Sequence, residues 1–245
     1  MITPGDIQGH WQRLWIKAPG LVDETTRVHW IQAGRDYADV RVPLARPDLS
    51  GAAALSDLPA AVLYQLAQAE GFAGHVSLSG RSCTWHRAIN WHGTPETADI
   101  GEIRFDPEGR MIETGVEADY TELWAQQPGD PPTAMRFAGG GYAGLVASVG
   151  GQAVLAIGRG DKPATRPLIE ALAAGQIPDG IETLFDGVHA LAHWRGDALI
   201  ADLATQPFVE GQAVLTMQDN SLVWHRVGFD GARSRVEMVC ETVSA

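Results

Sequence analysis

Apolar and polar residues alternate with a period of two through most of this chain, in short runs cut apart by Gly, Pro, Asn and Asp. That pattern fits strands rather than helices. The run Trp11-Gln12-Arg13-Leu14-Trp15-Ile16-Lys17 shows it most sharply. On an extended backbone its Trp, Arg and Lys share one face, and Leu14 and Ile16 take the other. The same mixture of aromatic and cationic residues recurs at Trp85, Arg87, Ile89 and Trp91, and more briefly at Trp224 and Arg226.

The order of these runs repeats. Three strands are expected over 11–17, 26–32 and 36–43, separated by Ala18-Pro19-Gly20 and Ala33-Gly34-Arg35. A helix over 58–69 follows, with Pro59 in its first turn, Ser56 or Asp57 to cap it and Gly71 beyond its end. Five more strands are expected over 74–79, 83–91, 100–105, 111–116 and 120–125. The run Gln126-Gln127-Pro128-Gly129-Asp130-Pro131-Pro132 then acts as a linker. Beyond it come three strands (134–138, 142–149, 152–157), a helix over 167–174, and five strands (189–194, 198–204, 213–217, 222–229, 235–240).

The expectation is an all-β, mainly antiparallel protein of two halves, 1–127 and 133–245, each with one short helix. Eight antiparallel strands are enough to close a small barrel. A competing register matches Gly74-His75-Val76-Ser77-Leu78 and Trp85-His86-Arg87 with Gly211-Gln212-Ala213-Val214-Leu215 and Trp224-His225-Arg226. Element order carries more weight, since a short hairpin match arises easily by chance.

Composition narrows the partners. The formal net charge is -12, and no basic run offsets it, so neither nucleic acid nor an anionic membrane surface is an expected partner. The N-terminal residues lack the basic start and apolar run of a signal peptide, which points to the cytoplasm. Cys83 and Cys240 sit far apart in strand-like runs and read as free buried thiols.

Tandem antiparallel strands, one covering helix per half and a mixed aromatic and cationic strand face resemble the lipocalin and fatty-acid-binding-like (calycin-type) barrels. Gly9-His10-Trp11 matches their Gly-x-Trp signature. The resemblance implies tandem lipocalin-like barrels that hold a small apolar or amphipathic molecule. It also allows an isomerase, lyase or decarboxylase activity in the lumen, and no catalytic residue carries over.

The residues themselves suggest a ligand with an apolar or aromatic body and an acidic group. Trp11, Trp15, Trp85 and Trp91 would bury the body, and Arg13 and Arg87 would hold the acid. A buried guanidinium needs a carboxylate if it lacks a ligand, and Asp39, Glu102, Glu113 and Glu122 are the available partners. An enzymatic alternative would use His86 with Glu113 or Glu122 for proton transfer. A third reading is an interaction protein whose Trp faces join the halves or a second subunit. No metal or cofactor is expected: the histidines lack ligand spacing, and Gly139-Gly140-Gly141-Tyr142-Ala143-Gly144 leads into a strand rather than a helix.

Overall fold

The computed structural model describes residues 2–95, 97–218 and 221–241. Its N-terminal half is built from β1 (Gly9–Ala18), β2 (Leu21–Asp23), β3 (Thr26–Ala33), β4 (Asp36–Pro43), α1 (Ala60–Leu66), β5 (Glu70–Ser79), β6 (Ser82–Asn90), β7 (Asp99–Phe105), β8 (Met111–Gly115) and β9 (Thr121–Gln127). The C-terminal half is built from β10 (Thr133–Gly139), β11 (Tyr142–Val149), β12 (Gln152–Gly158), α2 (Arg166–Ala173), β13 (Val188–Arg195), β14 (Ala198–Ala204), β15 (Ala213–Gln218), β16 (Ser221–Val227) and β17 (Arg233–Cys240).

Each half closes on itself as an eight-stranded antiparallel barrel. In the first, strands pair in the order β1-β3-β4-β5-β6-β7-β8-β9, and β9 returns to β1. The short β2 lies outside this ring, on the far end of β1. In the second, β10 to β17 pair in sequence order and β17 returns to β10. The expected order of three strands, a helix and five strands therefore holds in both halves, with β2 added. Tight turns set the register: Gly34, at φ +59°, turns β3 into β4 with Ala33 opposite Asp36, a conformation that favours glycine.

The rival hairpin match has a local cause. Ser77 Oγ lies 2.9 Å from His86 Nε2, and Thr216 Oγ1 lies 3.0 Å from His225 Nε2. The two hairpins share a hydroxyl–imidazole contact but occupy different places in their barrels.

Both lumens are filled with side chains. The first holds Trp11, Trp30, Trp85 and Trp124 around Ile103 and Met111, with Trp30 edge-on to Trp85 and Trp124 at 6.0 and 5.8 Å between centroids. The second packs Phe137, Leu155, Trp224 and Met238 against the small Ala190, Ala192 and Ala201. Edge-to-face aromatic pairs add about 0.5 to 1.5 kcal/mol each beyond their burial.

The barrels meet through the outer faces of β3 to β5 and β11 to β13. Ile31, Val40 and Val42 pack there with Leu145, Ala147, Val154 and Ala156. β11 and β12 therefore bury both faces, which is why they read as nearly continuous apolar runs. Gly71 of β5 lies against the ring of His189 of β13, so close that a Cβ on Gly71 would stand 2.5 Å from the imidazole.

The first helix is shorter than the sequence suggests, whereas α2 keeps the expected eight residues. α1 begins after Pro59 and stops before β5, which starts at Glu70 rather than at 74. At seven residues it has little stability of its own. Leu63 and Leu66 instead bury it with Leu172 of α2, Leu184, Phe185 and Trp91. Cys83 is buried as expected, but Cys240 is exposed near the barrel seam. Among the described residues no helix is long and apolar enough to cross a membrane.

Candidate functional site

Strand pairing fixes which side chains enter the first lumen. Trp11 stands opposite Trp30, Trp30 opposite Asp39, and Asp39 opposite Phe72. Across the rest of the ring Trp85 stands opposite Asp99, Ile103 opposite Glu113, and Glu113 opposite Glu122. The inward positions are aromatic and aliphatic towards one end and ionisable towards the other. Ile7 closes the apolar end, where its carbonyl accepts the Trp11 indole N–H at 2.9 Å.

At the ionisable end Arg13 donates to Glu122 at 2.7 Å and to Asp23 at 3.1 Å. Arg41 donates to Asp39 at 3.1 Å and lies 3.7 Å from Glu122. Tyr120 donates its hydroxyl to Glu113 at 2.8 Å. Arg87 donates to Asp99 at 2.5 Å while its guanidinium carbon lies 3.7 Å over the centre of the Phe72 ring. The carboxylates near Arg13 and Arg41 share a low-dielectric space, and that controls their protonation. Burial, reinforced by the charge of Glu122, pushes the Glu113 carboxyl well above its ordinary range. Burial also raises Asp39 to about 6, against the pull of Arg41.

The lumen has little room left. A cavity of about 10 Å³ between Trp30, Tyr37, Phe72, Trp85 and Trp124 matches the space of a single water. Among the described residues, four buried polar atoms here have no partner: Trp30 Nε1, Tyr37 OH, Trp124 Nε1 and Glu122 Oε2.

The open space lies above. A cleft of about 310 Å³ sits over the ionisable end, lined by Glu70, Phe72, Arg87, His92, Arg166 and Ile169, so it has walls from both halves. A second recess of about 190 Å³ is lined by Arg87, Pro95, Asp99, Ile100 and Tyr120. Phe72 lines both the deep cavity and the cleft, and Arg87 and Pro95 line both outer spaces. The loop between β6 and β7 is tied down on the second half: Thr94 N–H donates to the Lys162 carbonyl at 3.1 Å, and Thr165 N–H to the His92 carbonyl at 3.0 Å. The Lys162 ammonium is itself buried against the Trp91 ring and the carbonyls of Leu184 and Asp186, and burial lowers it to about 8.

Of the six residues singled out from sequence, the structure gathers four. Trp11, Arg13 and Trp85 face the first lumen, and Arg87 stands at its mouth. Trp15 does not join them. A bulge at Leu14 places Arg13 opposite Trp124 but Trp15 opposite Leu123, which reverses the alternation and turns Trp15 outward under Lys17. Trp91 lies one residue past the end of β6, where it packs on Phe185 and His189 in the helical cluster. The proton-transfer pairing is also corrected: His86 projects from the outer face, stacked on His75 at 4.4 Å, with the wall of the barrel between it and Glu113.

Sequence reasoning missed Trp30, Trp124 and Phe72. Trp30 and Trp124 follow the same two-residue period, one in β3 and one in β9. Phe72 was hidden because β5 begins before the apparent helix stop. Of the proposed carboxylate partners, Glu122 pairs with Arg13 and Asp39 with Arg41, whereas Glu102 is exposed and pairs with Arg81. Among the described residues, no three of His, Cys, Asp or Glu are grouped to hold a metal ion.

No protein-family model matches the chain, and no curated protein matches it. Among solved structures, an uncharacterised protein from Saccharomyces cerevisiae superposes with a TM-score of 0.55 at 12% identity, covering 98% of this chain and 100% of that one. At that identity the likeness shows the fold alone. A DNA polymerase sliding clamp from Pseudomonas aeruginosa aligns over 100% of this chain and 59% of its own at 7% identity, but its TM-score of 0.15 carries no argument.

Proposed function

We propose that the chain binds a small molecule with an apolar or aromatic body and an acidic group, in the cleft over the mouth of the N-terminal barrel rather than deep inside it. The observation that carries this reading is Arg87, which lies on the Phe72 ring and borders both outer spaces at once. An incoming carboxylate would compete with Asp99 for the Arg87 guanidinium, and Phe72 and Ile169 would cover the apolar body. The lipocalin-like resemblance implies binding inside a barrel, and because the lumen is filled the reading moves to its mouth. The unpaired thiols fit a reducing, cytoplasmic setting. Burial of most of a drug-sized ligand supports micromolar affinity, on the order of -8 kcal/mol.

Native mass spectrometry for a retained ligand, and quenching of Trp fluorescence across a panel of acidic aromatic and fatty compounds, test this reading. Arg87→Met should weaken binding of any hit by roughly 1.5 to 3 kcal/mol, the loss of a hydrogen bond to a charged group. Arg87→Lys should recover part of it. A panel without hits, or a hit that binds Arg87→Met as tightly as wild type, overturns the proposal.

A second reading is favoured by one observation: Glu113, whose carboxyl burial pushes well above its ordinary range, accepts the Tyr120 hydroxyl, and Asp39 is raised to about 6 in the same lumen. Carboxyls set apart in this way suit proton transfer to a substrate reaching down from the cleft. Glu113→Gln would then abolish turnover while leaving binding in place, and unchanged turnover would exclude it.

A further inference from the structure

A further recess lies far from the cleft in sequence and differs from it in chemistry. It occupies about 200 Å³ against the β16–β17 hairpin, and its lining is His225, Arg226, Arg233, Ser234 and Arg235. Alternation along the two strands puts two guanidiniums and an imidazole, those of Arg233, Arg235 and His225, on the outer face of the hairpin in a chain of net charge -12. The register sets them side by side: His225 stands opposite Arg235 and Val227 opposite Arg233, whereas Arg226 stands opposite Ser234 on the other face.

Their charges are only partly met within the protein. Arg226 donates to Asp186 at 3.1 Å. Arg233 donates to the neutral side chain of Gln212 at 2.6 Å. Among the described residues, Arg235 has no ion-pair partner. The acidic residues nearest in sequence are Asp230, which accepts the Ala232 N–H, and Glu237 on β17.

We propose that this hairpin is a binding site for a phosphate monoester group, held by Arg233 and Arg235 with the His225 imidazole, while Arg226 stays tied to Asp186. Guanidiniums present paired, planar donors that match the oxygens of a phosphate, and two of them favour a dianion over a single carboxylate. The site rests on this geometry alone and is independent of the cleft. The phosphate could belong to a free metabolite or to a phosphorylated side chain of a peptide, and the two share the chemistry recognised here.

The imidazole supplies the readout. His225 is faced by Arg235 across the ladder, by Thr216 from β15 and by Arg226 beside it; burial and then Arg235 hold its pKa below the ordinary value. A bound dianion reverses that repulsion. Titration of the full chain with inorganic phosphate, phenyl phosphate and a phosphoserine peptide, followed by the NMR signals of His225, should show saturable shifts and a rise in the His225 pKa. Arg233→Gln with Arg235→Gln should weaken binding by at least about tenfold, with the circular dichroism spectrum unchanged. Tighter binding of the phosphoserine peptide than of phosphate identifies a protein source, and the reverse a small metabolite. Shifts no larger than those from chloride at equal ionic strength, or equal binding by the double variant, overturn the proposal.

Discussion

Arg13 donates to Glu122 at 2.7 Å although 109 positions separate them, and the pair straddles the seam where β9 returns to β1. Both side chains are almost wholly buried, at 6% and 2% exposure. Replacing Arg13 leaves the buried Glu122 carboxylate, among the described residues, with only Arg41, at 3.7 Å. Arg13→Leu should therefore destabilise the N-terminal half by about 3 to 5 kcal/mol. Adding Glu122→Leu should recover a substantial part of the loss. Urea unfolding of both single variants and the double variant gives the coupling. Equal stability of Arg13→Leu and wild type would show that the pair does not hold the seam.

The close approach of Gly71 to His189 makes a steric prediction. Gly71→Ala should cost about 1 to 3 kcal/mol by overpacking. In a His189→Ala background the same substitution should cost far less, since the clashing ring is gone. Thermal unfolding of the four proteins measures the difference.

A pair of histidines predicts acid sensitivity. His10 Nε2 lies 3.0 Å from His29 Nδ1, and Gln152 from the second half contacts His10. Burial lowers both imidazoles from 6.5 to about 4, so the folded chain refuses protons that the unfolded chain accepts. Their contribution to stability is complete above pH 6.5 and is lost as the pH falls towards 4. Between pH 7 and pH 5 the loss is roughly 2 kcal/mol for each imidazole. Asp39, raised to about 6, acts in the opposite direction because the folded state holds its proton. Comparing wild type with His10→Gln/His29→Gln by urea unfolding at both pH values isolates the histidine contribution; the double variant should lose less stability on acidification.

The cleft can be tested by filling it. Ile169→Trp places a larger ring on the wall contributed by α2, away from the lumen. Binding of an acidic aromatic ligand should fall at least about tenfold with the melting temperature little changed. Undiminished binding would place the ligand elsewhere.

Strand order and helix position were legible in the sequence because two-residue alternation and turn chemistry act locally. β4, β11 and β14 end where the pattern changes. What failed required tertiary information. The bulge at Leu14 has no marker in its own run, yet a single extra residue moved Trp15 to the opposite face. β2 is too short at three residues to show a period. Trp91 continues the beat of β6 in sequence, but the strand stops at Asn90 and the chain turns towards the helices. The ion-pair network was foreseen as an alternative to a ligand for Arg13, and Glu122 and Asp23 fill that role.

Gly71 and His189 are each the second residue of the strand that follows its barrel's helix. In a dimer of identical chains, a two-fold axis would set glycine against glycine or histidine against histidine at matching positions. Joining the barrels in one polypeptide removes that requirement, so a large ring on one side can be met by bare backbone on the other. The same freedom lets one barrel carry charge in its interior while its neighbour is filled by Phe137 and small alanines.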